Sequence, residues 1–436
     1  MPSLRLRLHA IPVGPTVLVG AVAGVAVAWL LARPAGQPDS RFAGEILGVV
    51  ALLLLSSSLV LVTLRPSVER AFGGLDRVAV WHRGAAVAGL LLLLPHDALA
   101  SSSFDRYATP LGSALGSISL GGLLLLGLWA LAPRLRAARW PGPVQRLARV
   151  AYEKWLTGHR LTGLFVVTAV AHGAIVDPVL RHSALLLALF CVVGGVGVLA
   201  YAYRELFARF VVPVYDYSVA SVRRMTESTI DVGLDPTRSQ LPFAAGQFVF
   251  LAFGGHGAWQ RHPFTVSSAP SALRLEVSIK ALGNYTRDLN EKLQPGTPAK
   301  VVGPFGAFDY RPGGVRQLWV AGGIGITPFV SWIRALDDTL DRDVDLYYSV
   351  AHREDAVYLD EIEAAAATHP TLRVHLVDSS TNGLLDAPAI MNGMTRAGRP
   401  WVYMCGPPGM MHALARGFRR QGVPRDHIRF EEFAVR

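Results

Sequence analysis

The sequence predicts a multidomain protein, in which a six-helix transmembrane bundle is followed by an antiparallel β-barrel domain and an α/β doubly wound domain. The length of 436 residues suggests about three domains. Hydrophobic residues make up 51% of the chain and charged residues 17%, against about 25% charge in ordinary globular domains. Apolar residues are concentrated before Arg209, and a turn-rich sequence of ordinary charge density follows. We therefore place the domains at residues 1–208, 209–312 and 313–436.

Six apolar stretches in the first half are each long enough to cross a bilayer, which takes about 20 residues per helix. They lie at approximately 11–32, 43–64, 78–99, 112–132, 161–180 and 183–204. The first is too long for the apolar region of a signal peptide and lacks a cleavage site, so we expect it to be retained. Fourteen Lys and Arg residues flank the stretches on one side and four on the other (Arg33, Arg41, Arg106 and Arg181). Because basic loops stay in the cytoplasm, we expect a cell-membrane protein with both termini and the second half cytoplasmic.

The charge and the cysteines exclude other classes of function. The net charge of +10 comes largely from basic residues beside the apolar stretches, which indicates contact with the lipid bilayer and no nucleic-acid partner. The two cysteines, Cys191 and Cys405, are too few and too far apart for a Cys-ligated iron–sulfur cluster, a zinc finger or a disulfide framework. Electron chemistry would need other cofactors.

Four histidines lie inside two predicted transmembrane helices that run in the same direction. His82 and His96 belong to the third, and His159 and His172 to the fifth. The inner pair, His82 and His159, is therefore expected at one depth, and the outer pair, His96 and His172, at another. Two imidazoles at one depth are typical of bis-histidine b-type haem, and 14 residues separate the two levels by about 21 Å. A straight helix would leave His172 roughly 140° from the face of His159, so a bend or tight turn is required. The pattern predicts two haems with these four ligands; the alternative is isolated polar residues in a bundle.

The middle region predicts a flavin site. Strand-like alternation occurs at 247–253, 273–279 and 299–302. Hydroxyls and amides suited to the edge of an isoalloxazine ring lie between them, in the run His262-Pro263-Phe264-Thr265-Val266-Ser267-Ser268. A phosphate site is expected where a helix at 287–292 follows Lys280, Gly283, Tyr285 and Thr286, because helix N-terminal amides bind phosphate. Each pattern alone fits a structural turn; together they predict FAD.

The last region predicts a dinucleotide site. A short apolar strand at 317–321 leads into Gly322-Gly323-Ile324-Gly325-Ile326-Thr327-Pro328 and a helix from about Phe329. Glycines in such a turn allow the close approach of a pyrophosphate. Further strands at 345–350 and 401–404 follow, the second ending in Cys405-Gly406-Pro407. Cys405 is a candidate to contact a nicotinamide, and the alternative is a buried structural thiol.

The choice between NADPH and NADH depends on the residues after the second of these strands. Ser349 and Arg353 are placed to hold the 2′-phosphate of NADPH. The neighbouring acids Glu354 and Asp355 would instead pair with Arg353 or accept the ribose diol of NADH. The sequence favours NADPH.

On these residues the chain resembles the ferric reductase/NADPH oxidase superfamily of prokaryotic type, in which a ferric-reductase-like helical domain is fused to a ferredoxin-reductase-type module. The matching features are the histidine spacings of 14 and 13, the His262–Thr265 run, Gly322 to Pro328 and Cys405 to Pro407. The resemblance implies that Phe433 stacks on the flavin, that Thr265, Cys405 and Phe433 are catalytic, and that Arg41 lies near the outer haem. Ala100 stands where eukaryotic oxidases have a second outer histidine, which leaves the acceptor open.

The expected activity is electron transfer from cytoplasmic NADPH or NADH, through FAD and two b haems, to an acceptor at the outer face. The acceptor would be oxygen, giving superoxide, or a ferric chelate. The alternatives are delivery to a periplasmic protein or quinone, or a haem-binding membrane scaffold without catalysis. The intact glycine turn opposes the last of these.

Overall fold

The chain divides into two compact units, residues 1–211 and 212–436. The computed structural model describes residues 13–63, 65–101, 109–131, 152–177, 180, 182–208, 212–256, 259–336, 340–394 and 399–432. Phe433, predicted to stack on the flavin, lies outside the described residues.

The described part of the first unit consists of helices joined by short connections. Six of its helical spans are long and apolar enough to cross a membrane, which supports the predicted membrane class. A π-helical turn, Tyr203–Phe207, follows the last helix. The helices are α1 (Val13–Leu31), α2 (Asp39–Leu61), α3 (Pro66–Phe72), α4 (Leu75–Ser101), α5 (Pro110–Ala130), α6 (Tyr152–Arg160), α7 (Thr162–Val176) and α8 (Ala184–Ala202).

The bundle is built around α2, which packs against α1, α4, α7 and α8. Its core contains the buried side chains Trp29, Phe42, Leu123, Val166 and Phe190. Packing of this kind buries the faces that lipid does not cover.

In the first unit, the structure differs from the sequence prediction at the start of α2 and at the fifth segment. Helix α2 begins at Asp39, before the predicted start at 43, because Arg41 and Glu45 are buried as an ion pair and do not end the helix. The fifth predicted segment, residues 161–180, contains helix α7, and His159, expected at its start, belongs to a separate helix, α6, which ends just before Leu161. A break in the helix therefore lies between His159 and His172, in the part of the chain where the sequence prediction requires a bend or tight turn.

The second unit begins with a six-stranded antiparallel sheet in the order β4-β3-β6-β1-β2-β5. The predicted phosphate helix, α9 (Asn284–Lys292), begins three residues before the predicted start at 287, because Thr286 caps its first turn. The strands are β1 (Tyr215–Thr226), β2 (Thr229–Pro236), β3 (Phe248–Phe253), β4 (His262–Thr265), β5 (Leu275–Lys280) and β6 (Pro298–Phe305).

A five-stranded parallel sheet follows, in the order β11-β10-β7-β8-β9, as expected for an α/β doubly wound domain. Its strands are β7 (Arg316–Gly322), β8 (Asp343–Val350), β9 (Leu372–Asp378), β10 (Trp401–Gly406) and β11 (Ile428–Glu432). Its helices are α10 (Thr327–Arg334), α11 (Leu359–Thr368), α12 (Ser379–Asn382), α13 (Ala387–Gly393) and α14 (Pro408–Arg420).

We expect Asp345→Asn to destabilise this parallel sheet by about 3 kcal/mol, since it breaks a buried charged hydrogen-bond pair. Asp345 on β8 is 1% exposed and accepts hydrogen bonds from Arg373 and His375 on β9. Burial alone would raise the pKa of Asp345, but these two partners outweigh it and hold the pKa well below its usual range. The stabilisation is therefore complete above about pH 4 and is lost as the pH falls through the folded-state value.

Denaturant unfolding of the variant at pH 7 measures this effect. Asp360→Asn, which changes an exposed carboxylate in the same domain, is the control. Equal stability of the two variants would contradict the assignment.

Candidate functional site

The predicted flavin segment, residues 262–268, connects two parts of the barrel sheet. Thr265 pairs with Phe248 of β3, and the next residue, Val266, forms a bridge with Val277 of β5. Thr265 is 3% exposed, and its Oγ1 has no hydrogen-bond partner among the described residues. Because an unpaired buried hydroxyl is costly, Thr265 fits a ligand with a polar edge.

The two serines of the flavin segment are buried against β5. The Ser267 N–H donates to the Glu276 carbonyl at 2.8 Å, and the Ser268 hydroxyl accepts from the Glu276 N–H at 3.1 Å. The Ser268 hydroxyl therefore stabilises the fold of the segment, a role that its place in the motif did not reveal.

His262 lies on Tyr285, with ring centroids 3.9 Å apart and planes 19° from parallel. Both residues were predicted to contact the cofactor, and the structure brings them together from β4 and α9. Burial raises the pKa of Tyr285 to about 12, so its phenol stays protonated at neutral pH.

The predicted phosphate loop, residues 280–286, is held by Thr286. Its Oγ1 accepts hydrogen bonds from the N–H groups of Gly283 and Leu282 at 2.9 and 3.0 Å. Lys280, at the end of β5, reaches the other domain: a Cβ placed on Gly323 would lie 3.9 Å from its Nζ. The Lys280 ammonium of the flavin domain therefore lies beside the glycine turn of the nucleotide domain. A cation in this position could bind the phosphates of either nucleotide.

The glycine turn, residues 322–326, packs against the residues that end β10. A Cβ on Gly325 would lie 2.2 Å from the Cys405 carbonyl oxygen, and one on Gly322 would lie 2.8 Å from Cδ of Pro407. Gly406 is equally confined, since its Cβ would lie 3.0 Å from Cα of Gly322. Both predicted nicotinamide motifs therefore lie together at the carboxyl ends of neighbouring parallel strands, where ligands bind in this class of fold.

Three further predicted residues surround this edge of the sheet. Thr327 donates from Oγ1 to the Ile324 carbonyl at 3.0 Å and so closes the glycine turn. Ser349 pairs with Gly322 across β7 and β8. The Cys405 side chain is fully buried.

Arg353 follows β8 in a short 3-10 turn. Its N–H donates to Asp378 at 2.9 Å, and its side chain is exposed. Within the described residues its guanidinium forms no ion pair with Glu354 or Asp355, which leaves it available to a ligand.

The four membrane histidines form two pairs. The ring centroids of His82 and His159 are 6.3 Å apart, and those of His96 and His172 are 6.4 Å apart. A histidine nitrogen lies about 2.0 Å from a bound metal and about 1.2 Å from its own ring centre, so two imidazoles on one metal ion have centroids about 6.4 Å apart. Each pair therefore has a centroid distance that matches two imidazoles on opposite sides of one metal ion.

Backbone carbonyls orient three of these four rings. Nδ1 of His82 donates to the Ser58 carbonyl at 2.9 Å, that of His96 to Gly44 at 2.7 Å, and that of His172 to Gly112 at 2.8 Å. Because a carbonyl oxygen can only accept a hydrogen bond, Nδ1 of each of these rings must carry a proton. In the neutral imidazole the lone pair is then on Nε2, where it is available to a metal. Metal-bound histidines show this arrangement.

His159 is held differently. Its Nδ1 is buried without a hydrogen-bond partner among the described residues, and its ring stacks on Trp155 at 5.4 Å and 6°. Trp155 is fixed in turn, since its Nε1 donates to the Trp129 carbonyl and Trp129 donates back to the Trp155 carbonyl. The sequence analysis did not identify Trp155. Its position four residues before His159, one helical turn away, was the signal that could have predicted the stacking.

The turn of α2 beside the outer pair carries a buried ion pair. Arg41 Nε donates to Glu45 at 3.1 Å, and both residues are less than a tenth exposed. Gly44, whose carbonyl binds His96, lies between them, so Arg41 is in the helical turn that holds the outer histidine. A Cβ on Gly44 would lie 3.0 Å from the Ala100 backbone nitrogen.

Comparisons with known proteins match the second unit. The FAD-binding domain family matches residues 214–321, and the oxidoreductase NAD-binding domain family matches residues 319–416. The toluate 1,2-dioxygenase electron transfer component of Pseudomonas putida is 28% identical over 234 residues, which cover 51% of this chain and 68% of that protein. Ferredoxin–NADP reductase B of Sorangium cellulosum is 30% identical over 210 residues, covering 44% of this chain and 85% of the reductase.

Among solved structures, a ferredoxin NADP+ reductase from Neisseria gonorrhoeae with bound FAD and NADP is similar at a TM-score of 0.45 and 21% identity. The match covers 50% of this chain and 98% of that one. Through its second unit, the chain belongs to the ferredoxin–NADP reductase family, and this unit is an FAD- and NAD(P)-binding electron-transfer reductase module.

Proposed function

We propose that the protein is a transmembrane flavocytochrome b, an NAD(P)H oxidase or ferric-chelate reductase. Electrons from cytoplasmic NAD(P)H would pass through FAD and two b haems to oxygen or a ferric chelate at the outer face. The observation that carries the proposal is the pair of histidine sites, each with the centroid spacing of two imidazoles on one iron, in a chain that also has a reductase module.

The residues of the second unit would hold and orient the two nucleotides. Bound FAD accepts a hydride and releases single electrons, and haem iron carries one electron at a time. Thr265 would donate its unused hydroxyl to the flavin edge, and Lys280 would neutralise phosphate charge. The glycine turn would admit the nicotinamide pyrophosphate because its three glycines have no side chains to exclude it.

The residues of the first unit would hold the haems. His82 and His159 would bind the inner iron, and His96 and His172 the outer iron. Two glycines leave room for the imidazole rings of the outer pair. A Cβ on Gly48 would lie 2.7 Å from the His96 ring, and a Cβ on Gly116 would lie 2.8 Å from the His172 ring.

Haem content tests the proposal directly. The purified chain should contain two b haems and one FAD, and NAD(P)H should reduce all three under anaerobic conditions. A preparation that reduces its flavin but contains no haem would contradict the proposal and leave the reductase module intact. Oxygen uptake and ferric citrate reduction, each with and without superoxide dismutase, then distinguish the acceptors.

Labelling of introduced cysteines tests the topology. In a Cys191→Ala background, which removes an exposed thiol, we expect Ala35→Cys to react with an impermeant maleimide in intact cells. Ser239→Cys should react only after lysis. Both positions are exposed, and they lie on opposite sides of the membrane according to the basic-residue count. The reverse labelling pattern would overturn the direction of electron transfer.

We expect Arg353→Ala to raise the KM for NADPH by roughly ten- to a hundredfold and to leave NADH kinetics nearly unchanged. The reason is the loss of one charge-assisted hydrogen bond to the 2′-phosphate, worth about 1.5–3 kcal/mol. Steady-state kinetics with both nucleotides measure the change, and Arg420→Ala, an exposed arginine at the end of α14, is the control. Equal effects on the two nucleotides would defeat the assignment to the 2′-phosphate.

A further inference from the structure

Helix α10 connects the two halves of the reductase site. It begins at Thr327, directly after the glycine turn, and ends at Arg334. Every residue from Thr327 to Ile333 is buried, so the helix is fixed along its length. Over eight residues it spans about 12 Å. The position of its last turn is therefore tied to the position of the glycine turn.

The last turn of α10 binds the flavin segment. Arg334 Nη1 donates to the Ser267 carbonyl at 3.1 Å and to the Glu276 carboxylate at 2.7 Å, both in the barrel domain. The Ser331 hydroxyl donates to the Ser268 carbonyl at 2.8 Å. The two carbonyls are only two and three residues beyond Thr265.

The Arg334 guanidinium is also held by residues of the α/β domain to which Arg334 belongs. Nε and Nη2 of Arg334 bond the two carboxylate oxygens of Glu361 at 2.6 and 2.9 Å. The cation also lies 5.1 Å from the ring centroid of Tyr358. Because Glu361 holds the Nε and Nη2 side of this planar fork, Nη1 is directed at the Ser267 carbonyl and the Glu276 carboxylate.

Tyr358 makes a second connection between the domains. Its hydroxyl donates to Asp231 Oδ1 at 2.6 Å and lies 2.6 Å from Ser278 Oγ, both on barrel strands. Its backbone has φ of 63°, a left-handed conformation that is strained for any residue except glycine. Such strain persists where the surroundings determine the conformation.

We propose that Arg334 is a positioning residue for hydride transfer, because it fixes the flavin segment relative to the glycine turn. Hydride transfer requires the donating carbon of the nicotinamide and the accepting nitrogen of the flavin to lie about 3–3.5 Å apart. A displacement of 1 Å lowers the rate by about a hundredfold. The inference concerns the reductase module and is independent of the haems.

The test is anaerobic stopped-flow reduction of the flavin by NADPH in the full chain. Arg334→Lys keeps the charge and loses the fork, and Glu276→Gln removes the barrel partner. We expect each to lower the limiting rate of flavin reduction by about 10–100-fold. FAD content, the Kd for NADPH and the Tm should remain near the wild-type values. Arg274→Gln is the matched control, since Arg274 pairs with Asp235 inside the barrel domain alone.

A larger kinetic isotope effect with 4-deuterated NADPH should accompany the slower rate, since hydride transfer becomes rate-limiting. Limiting rates within twofold of the wild type in both variants would overturn the proposal. A loss of rate in proportion to a loss of bound FAD would also overturn it, because that result indicates a structural role.

Discussion

We expect His172→Ala to lose one of the two haems and all electron transfer to the outer acceptor, while flavin reduction by NAD(P)H continues at the wild-type rate. His172 supplies one of the two imidazoles of the outer pair, 6.4 Å from His96. With one imidazole missing, bis-histidine ligation is impossible. The flavin and nicotinamide residues all belong to the other unit of the chain, so their reaction is unaffected.

Haem quantification, the reduced spectrum and single-turnover flavin reduction measure these effects. His182→Ala is the matched control, since His182 is an exposed histidine ten positions further along the chain. His159→Ala should remove the inner haem instead and stop the reduction of the remaining one by NAD(P)H. A His172→Ala protein with two haems would refute the ligand assignment.

The second large effect is expected from Gly325→Val, which should slow flavin reduction by NAD(P)H by about a hundredfold or more. The new Cβ would lie 2.2 Å from the Cys405 carbonyl oxygen and 2.8 Å from the Gly406 nitrogen. Because both contacts are backbone atoms of a buried strand end, the glycine turn itself must move away from the end of β10, and the position that it offers to the nucleotide is lost. FAD content and reduction of the flavin by dithionite should remain unchanged.

Stopped-flow kinetics of flavin reduction test this prediction. Gly409→Ala is the control, since a Cβ at Gly409 meets no atom within 4 Å. Wild-type reduction by the Gly325→Val variant would show that the nucleotide binds elsewhere.

Local patterns predicted the elements that carry the site. The glycine turn and the flavin segment were identified from short runs of sequence, and the four histidines from spacings of 13 and 14 residues. Strand β4 and the turn before α10 lie where the sequence indicates because turn and strand chemistry acts over a few residues. The predicted roles of the individual residues, Phe433 and Cys405 among them, remain predictions.

Contacts between distant parts of the chain could not be predicted. Arg334 meets Glu276 and Tyr358 meets Asp231 across 58 and 127 residues, and nothing in a local pattern identifies such partners. The early start of α2 was missed for a related reason. Charged residues at a helix end usually indicate the membrane surface, but Arg41 and Glu45 neutralise each other and are buried.

The different settings of the four histidines would have an electronic consequence for the two proposed haems. In the outer pair both imidazoles donate from Nδ1 to a carbonyl, which would make each a stronger electron donor to the proposed haem iron. In the inner pair only His82 does so among the described residues, while His159 stacks on Trp155. Stronger donation favours ferric iron, so the outer haem would have the lower reduction potential of the two. Electrons would then move against the potential between the haems, and rapid removal by the acceptor would draw them outward.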